Sequence, residues 1–363
     1  MYRICSVVVL NSLLLAGLAE CGARVAEWVH PYEGEGVSFA YAPYRMLRMS
    51  RAPWPLNREG FRADELETYR GAFLVEFLGG SVCVGVGTDT GATLSERLEE
   101  ALHASGLARA RVLNLCQGGA PSAQELAIFI QYGLPLAPQV VLSFNGANDF
   151  MHPAPLGEDL APNLPYRNRE MRTAVEGGHA FAAHLALARV AQRLAARWFP
   201  PAPFREAGVP SGAIFDSYLY ATGVVRTLTR EQGGWHAVLL QPTLHFEKPW
   251  SEEERAMWLK RRPRDGAAIS RYASGLYEQA RARIRASTEP GDFYDLTRVF
   301  AGDPATVYSD SVHFQGSTGY ARLAQEVERQ GLIARIASSY RQWERSERSR
   351  SQESREGGLG WQP

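Results

Sequence analysis

Five short apolar runs separated by stretches of helical spacing constrain this chain more than any other feature: Ala72 to Leu78, Arg111 to Leu115, Gln139 to Phe144, Trp235 to Leu240 and Phe293 to Leu296. Runs of this length bounded by turn residues read as strands, and residues 92–105, 121–132, 266–287 and 317–336 space their apolar side chains as helices do. Strands alternating with helices make right-handed crossovers, so the pattern predicts an α/β fold with a parallel five-stranded sheet. The alternation pauses over residues 150–232, where an Ala/Arg/Leu-rich segment at 179–198 lies between Pro-rich pieces and predicts a helical insertion.

The remainder of the chain frames this core. At the N-terminus, Arg3 precedes the largely apolar residues 4–19, which predict export, with residues 1–28 acting as a signal peptide or a membrane anchor. Gly17 and Ala19 permit cleavage, whereas Arg3 suits the cytoplasmic side of an uncleaved anchor. The expected location is accordingly the periplasm or cell envelope, with membrane association through residues 4–19. Residues 29–70, rich in Pro, Tyr and Arg, read as an irregular lead-in to a domain at 71–342. From 343 to 363 the mixed charge and scarcity of apolar side chains predict a disordered tail. With 39 basic and 39 acidic side chains the formal charge is zero, so bulk electrostatics steer toward no nucleic acid. Cys83 and Cys116 follow strand ends; two buried thiols are the default reading and a disulfide is the alternative in an oxidising compartment. No soft-ligand spacing calls for a metal.

Directly after the first run stands Leu78-Gly-Gly-Ser-Val-Cys-Val-Gly-Val-Gly-Thr-Asp-Thr-Gly91. As a dinucleotide loop it has one residue too many between its glycines and begins late; as a phosphate loop it has Val86 and Gly87 where lysine and a hydroxyl residue are needed. It fits a nucleophile better, because a serine on a glycine-flanked turn past a strand exposes its hydroxyl at the carboxyl edge of the sheet. Three further fragments complete such a site. Asp310-Ser-Val-His313 places a carboxylate and an imidazole on one turn, so that Asp310 holds Nδ1 while Nε2 faces Ser81. Gly119 follows the second strand with an unobstructed amide, and Asn148 follows the third with a side-chain amide able to donate to an oxyanion. Carboxyl ends of strands share one crevice in an open parallel sheet, which is what joins these pieces.

The four blocks Gly79-Gly-Ser81, Gly119, Gly146-Ala-Asn-Asp149 and Asp310-Ser-Val-His313 occur in the order seen in the GDSL-type, or SGNH, hydrolases, which this sequence resembles over residues 79–313. Asn57-Arg-Glu-Gly-Phe-Arg62 also looks like a lead-in of envelope-associated members, and Gly80 departs from the aspartate of the name-giving pattern. The resemblance implies a flavodoxin-like three-layer α/β/α sandwich and an ester hydrolase with Ser81, Asp310 and His313 as its triad. The Ser81 amide, the Gly119 amide and the Asn148 side chain would form the oxyanion hole, with no metal or organic cofactor. The implied substrate is an acyl-ester small molecule or acylated glycan. An acyltransferase using the same residues and a non-catalytic carbohydrate-binding or assembly protein are the alternatives.

Overall fold

The structure is a computed structural model, and it describes residues 2–29, 37–42, 45–88, 91–150 and 211–357. The segment 179–198 and most of the expected insertion lie outside these residues. Two compact units are present; the described part of the first ends at Pro53, and the second begins at Trp54.

In the first unit, residues Tyr2–Val29 form one helix. Its leucines 10, 13, 14, 15 and 18 are all exposed. Among the described residues no helix is long and apolar enough to cross a membrane. Strands β1, Ser38–Ala42, and β2, Met46–Arg51, pair antiparallel. This hairpin corrects the expectation of an irregular lead-in: Leu47 and Met49, two residues apart, are both buried on one face, the alternation of a half-covered strand.

The second unit holds the parallel sheet. Its strands are β3, Phe73–Gly79; β4, Ala110–Asn114; β5, Val140–Asn145; β6, Trp235–Leu240; and β7, Phe293–Asp295. They run in the spatial order β4-β3-β5-β6-β7, the flavodoxin-like order the resemblance implied. Each strand lies within a residue or so of its apolar run, because a strand covered on both faces must be apolar almost throughout. Helices Leu94–Ala104 and Thr318–Arg329 pack together, as do helices Ser122–Ile128 and Ser211–Glu231. Leu74, Leu78, Leu113 and Val141 form one buried cluster with Ile128 and Val225, whereas Phe73 meets Tyr340 and Trp343 edge-on.

Two boundaries differ from the sequence reading. Asn57–Arg62 belongs to this unit rather than to a separate lead-in, since Phe61 is fully buried in the same core cluster. The tail at 343–357 is helical, continuing the helix that starts at Leu332. Trp343 anchors it under the Arg109 guanidinium, and Arg348–Glu344 and Arg350–Glu347 pair along its surface, contacts that favour a helix over the disorder its composition suggested.

Candidate active site

The sheet order reverses between β3 and β5, and the carboxyl ends of these strands open the crevice that such a reversal creates. Ser81 opens the four-residue helix Ser81–Val84 two residues beyond β3. Gly119 lies in the turn after β4, where it adopts a φ of 75°. That turn is tied to the strand that leads to Ser81, because the Gln117 amide donates to Gly79 O at 2.9 Å. Asn148 stands just past β5 in the short helix Ala147–Phe150.

Asp310 and His313 form a unit before either meets the serine. Asp310 Oδ1 accepts the amides of Val312 and His313, both at 2.8 Å, which closes the loop on itself. Its other oxygen accepts from His313 Nδ1 at 2.7 Å. With that proton so placed, Nε2 accepts from the Ser81 hydroxyl at 2.6 Å. Burial pushes the Asp310 carboxyl up, but the His313 ring, its charge and the two amides together hold it down at about 2. Asp310 therefore remains an anion at neutral pH. The geometry expected from the spacing Asp310-x-x-His313 is present, across 232 residues of sequence from Ser81.

Asn148 is buried, and its Nδ2 donates to Ala120 O at 2.8 Å, leaving a second N–H on the same atom. The amide lies directly over Gly80. A β-carbon at position 80 would overlap Asn148 Nδ2 and come within 3.2 Å of Cγ, although φ of −88° is open to any residue. Gly80 thus leaves the room that the Asn148 amide occupies here, and a larger residue at 80 would have to displace that amide. Asp149, next in sequence, accepts the amide and the hydroxyl of Ser122 and so holds the start of the helix Ser122–Ile128, a structural role.

The structure also assembles groups the sequence reading did not place. Cys83 and Cys116 form a disulfide, against the default of two buried thiols, because the turn after Ser81 and the segment before Gly119 are brought side by side at the sheet edge. Tyr320 donates to Val82 O at 3.0 Å and steadies the serine turn from the last helical layer. On the histidine side, Glu254 is fully buried and accepts the amides of Val307 and Tyr308 through one oxygen, and Lys248 and Ser251 through the other. Burial raises its carboxyl, yet these partners hold it below the ordinary glutamate value. Ser251-x-x-Glu254 is a capping box, a local signal visible in the sequence. Arg261 pairs with Asp310 Oδ2 at 3.6 Å from the surface. His245 packs among Trp250 and Trp258 with Nδ1 at 3.2 Å from Ser270 Oγ. Burial lowers it to about 4 despite nearby Asp310, so it is neutral near pH 7. Among the described residues no group of His, Cys, Asp and Glu is arranged to hold a metal ion.

No protein-family model and no curated protein matches this sequence. Solved structures similar to it include an acetyl xylan esterase, AlAXEase, at 16% identity over 70% of this chain and 98% of that one, with a TM-score of 0.38. A lipase/acylhydrolase from Enterococcus faecalis is 16% identical over 72% of this chain and 96% of its own, with a TM-score of 0.39. Axe2, an acetylxylan esterase from Geobacillus stearothermophilus, is 16% identical over 72% and 94%, with a TM-score of 0.36.

Proposed function

We propose that this protein is a serine esterase of the SGNH type that cleaves an acyl ester through an acyl-enzyme. One observation carries the proposal: a single imidazole bonds the Ser81 hydroxyl on one nitrogen and a half-buried carboxylate on the other. A binding module has no need of a serine held against an oriented base.

In this reading His313 Nε2 takes the proton from Ser81 Oγ as Oγ bonds to the ester carbonyl carbon, and Asp310 stabilises the resulting imidazolium. The carbonyl electron pair moves onto oxygen, where the amides of Ser81 and Gly119 and the second N–H of Asn148 receive it. Collapse of this intermediate breaks the bond to the alcohol, which leaves with the proton from His313. Water, deprotonated by the same nitrogen, then releases the acid and restores the serine.

The substrate in this proposal is an acyl ester, O-acetyl included, on an envelope glycan or lipid. The setting is extracytoplasmic: a disulfide suits an oxidising compartment, and the exposed leucines of the first helix suit an apolar surface around residues 4–19. Turnover of p-nitrophenyl acetate by the full chain tests the chemistry. Ser81→Ala and His313→Ala are each expected to lose at least about 1,000-fold in kcat. Equal rates for the wild type and Ser81→Ala would remove the esterase reading.

A further inference from the structure

Asn57-Arg-Glu-Gly-Phe-Arg62 stands out in the sequence and has no part in the chemistry above, yet it is built as a rigid strap. Asn57 Oδ1 accepts the amides of Glu59 and Phe61, at 3.1 and 2.9 Å, and its Nδ2 donates to Asp64 O at 3.0 Å. Phe61 is driven into the core, and the next residue, Arg62, turns a buried guanidinium toward the nucleophile. Its side chain is only 6% exposed.

What Arg62 meets is the C-terminal end of the turn that carries Ser81. A helix of four residues leaves its last carbonyls without partners from its own ladder. Each is accounted for here. Ser81 O accepts the Val86 amide, Val82 O accepts the Gly85 amide and the Tyr320 hydroxyl, and Cys83 O accepts Asn114 Nδ2. Arg62 adds a cation to this set: its Nη1 reaches Gly85 O, which also accepts the Thr88 amide, at 3.0 Å, Thr88 O at 3.3 Å and Val84 O at 3.5 Å. The guanidinium is held from behind by the Trp54 ring, 4.8 Å from its centroid, and Nη2 lies 3.7 Å from Glu96, which caps the following helix. A fixed cation gathering several carbonyls at the negative end of a turn fixes that turn's direction.

We propose that Arg62 is a positioning residue for Ser81: by clamping the carbonyls of Val84, Gly85 and Thr88 it sets the serine hydroxyl at bonding distance from His313. The proposal rests on the esterase reading. It assigns a purpose to the hexapeptide, which presents one side chain to the back of the nucleophile turn. Lysine is a poor substitute, because an ammonium has neither the flat face that stacks on Trp54 nor the second nitrogen that lies near Glu96 while the first holds the carbonyls.

The test compares the full-length wild type with Arg62→Lys, Arg62→Met and Val225→Ala, the last a core truncation in the helix Ser211–Glu231 that leaves every bond to the serine turn in place. Turnover of p-nitrophenyl acetate and the rate of Ser81 labelling by a fluorophosphonate are measured on protein shown by circular dichroism to melt cooperatively. We expect kcat to fall roughly 10-fold for lysine and roughly 100-fold for methionine with KM within about twofold, the scale of a nucleophile displaced by about 1 Å. Labelling should slow in parallel, and Val225→Ala should lower Tm without either effect. Should methionine prevent folding, Arg62→Lys and Trp54→Leu carry the same comparison. Folded variants with unchanged kcat, or with no greater loss than Val225→Ala at matched Tm, would overturn the proposal. A wild type that neither turns over ester nor labels at Ser81 would instead overturn the esterase reading.

Discussion

Replacing Gly80 by alanine adds one carbon at a position where the backbone accepts it and the neighbour does not. With φ of −88° the main chain needs no adjustment, so the effect falls on Asn148, whose Nδ2 occupies the space of the new methyl. Carbon and nitrogen atoms pack no closer than about 3.5 Å, so the side-chain amide must retreat by something on the order of 1 Å. Its 2.8 Å bond to Ala120 O cannot survive such a shift. Overpacking costs about 1 to 3 kcal/mol and the lost hydrogen bond about 1 kcal/mol, giving a destabilisation of about 2 to 4 kcal/mol. If Asn148 serves the oxyanion, kcat falls by about 100- to 1,000-fold as well. A double-mutant cycle isolates the route. Asn148→Ala should lose the same activity with Gly80 intact, and adding Gly80→Ala to it should cost no further activity and less than about 0.5 kcal/mol of stability, because the methyl then has room. Urea denaturation and p-nitrophenyl acetate turnover supply both axes. Additive losses in the double variant, or a Gly80→Ala enzyme of normal kcat, would refute the reasoning.

Other consequences are as direct. The Cys83–Cys116 disulfide joins positions 33 apart, which by chain entropy stabilises the fold by about 3.7 kcal/mol; replacing both cysteines by alanine should lower the unfolding free energy by that order in urea titrations. Glu76 is fully buried on the interior strand β3, and burial raises its carboxyl well above the ordinary glutamate value. Between those two values the unfolded chain has released a proton that the native one keeps, so this group makes stability fall by about 1.4 kcal/mol per pH unit as pH rises. Glu76→Gln should flatten the stability profile as pH rises above the ordinary glutamate value, relative to wild type; an unchanged slope would show that Glu76 ionises in the folded protein.

Much of this was legible in the sequence where the signal is local or fixed by topology. Apolar runs located the strands because a doubly covered strand has nowhere to put polar side chains, and Asp310-x-x-His313 was readable because both residues share one loop. Ser81, Gly119 and Asn148 could be joined to that loop because parallel strands deliver their carboxyl ends to one edge. Illegible were the contacts between segments with no shared periodicity, Arg62 on Gly85 O and Gly80 beneath Asn148, whereas the pairing of Cys83 with Cys116 is the alternative that the sequence offers beside two thiols. The capping boxes at Thr93 and Ser251 were within reach of pattern reading. The hairpin at 38–51 was obscured by the surrounding Pro and Arg, and the tail helix by a composition that lacks apolar residues but alternates Glu and Arg at helical spacing.

Asp310 spends one oxygen on the amides of its own loop and the other on the imidazole, so it cannot swing to another partner without dismantling the segment that carries it. The base and its anchor thus behave as one stiff cassette with a single freedom left, its approach to the serine. A molecule wedged into that gap would silence the site by parting two intact halves, and its departure would restore function with no refolding.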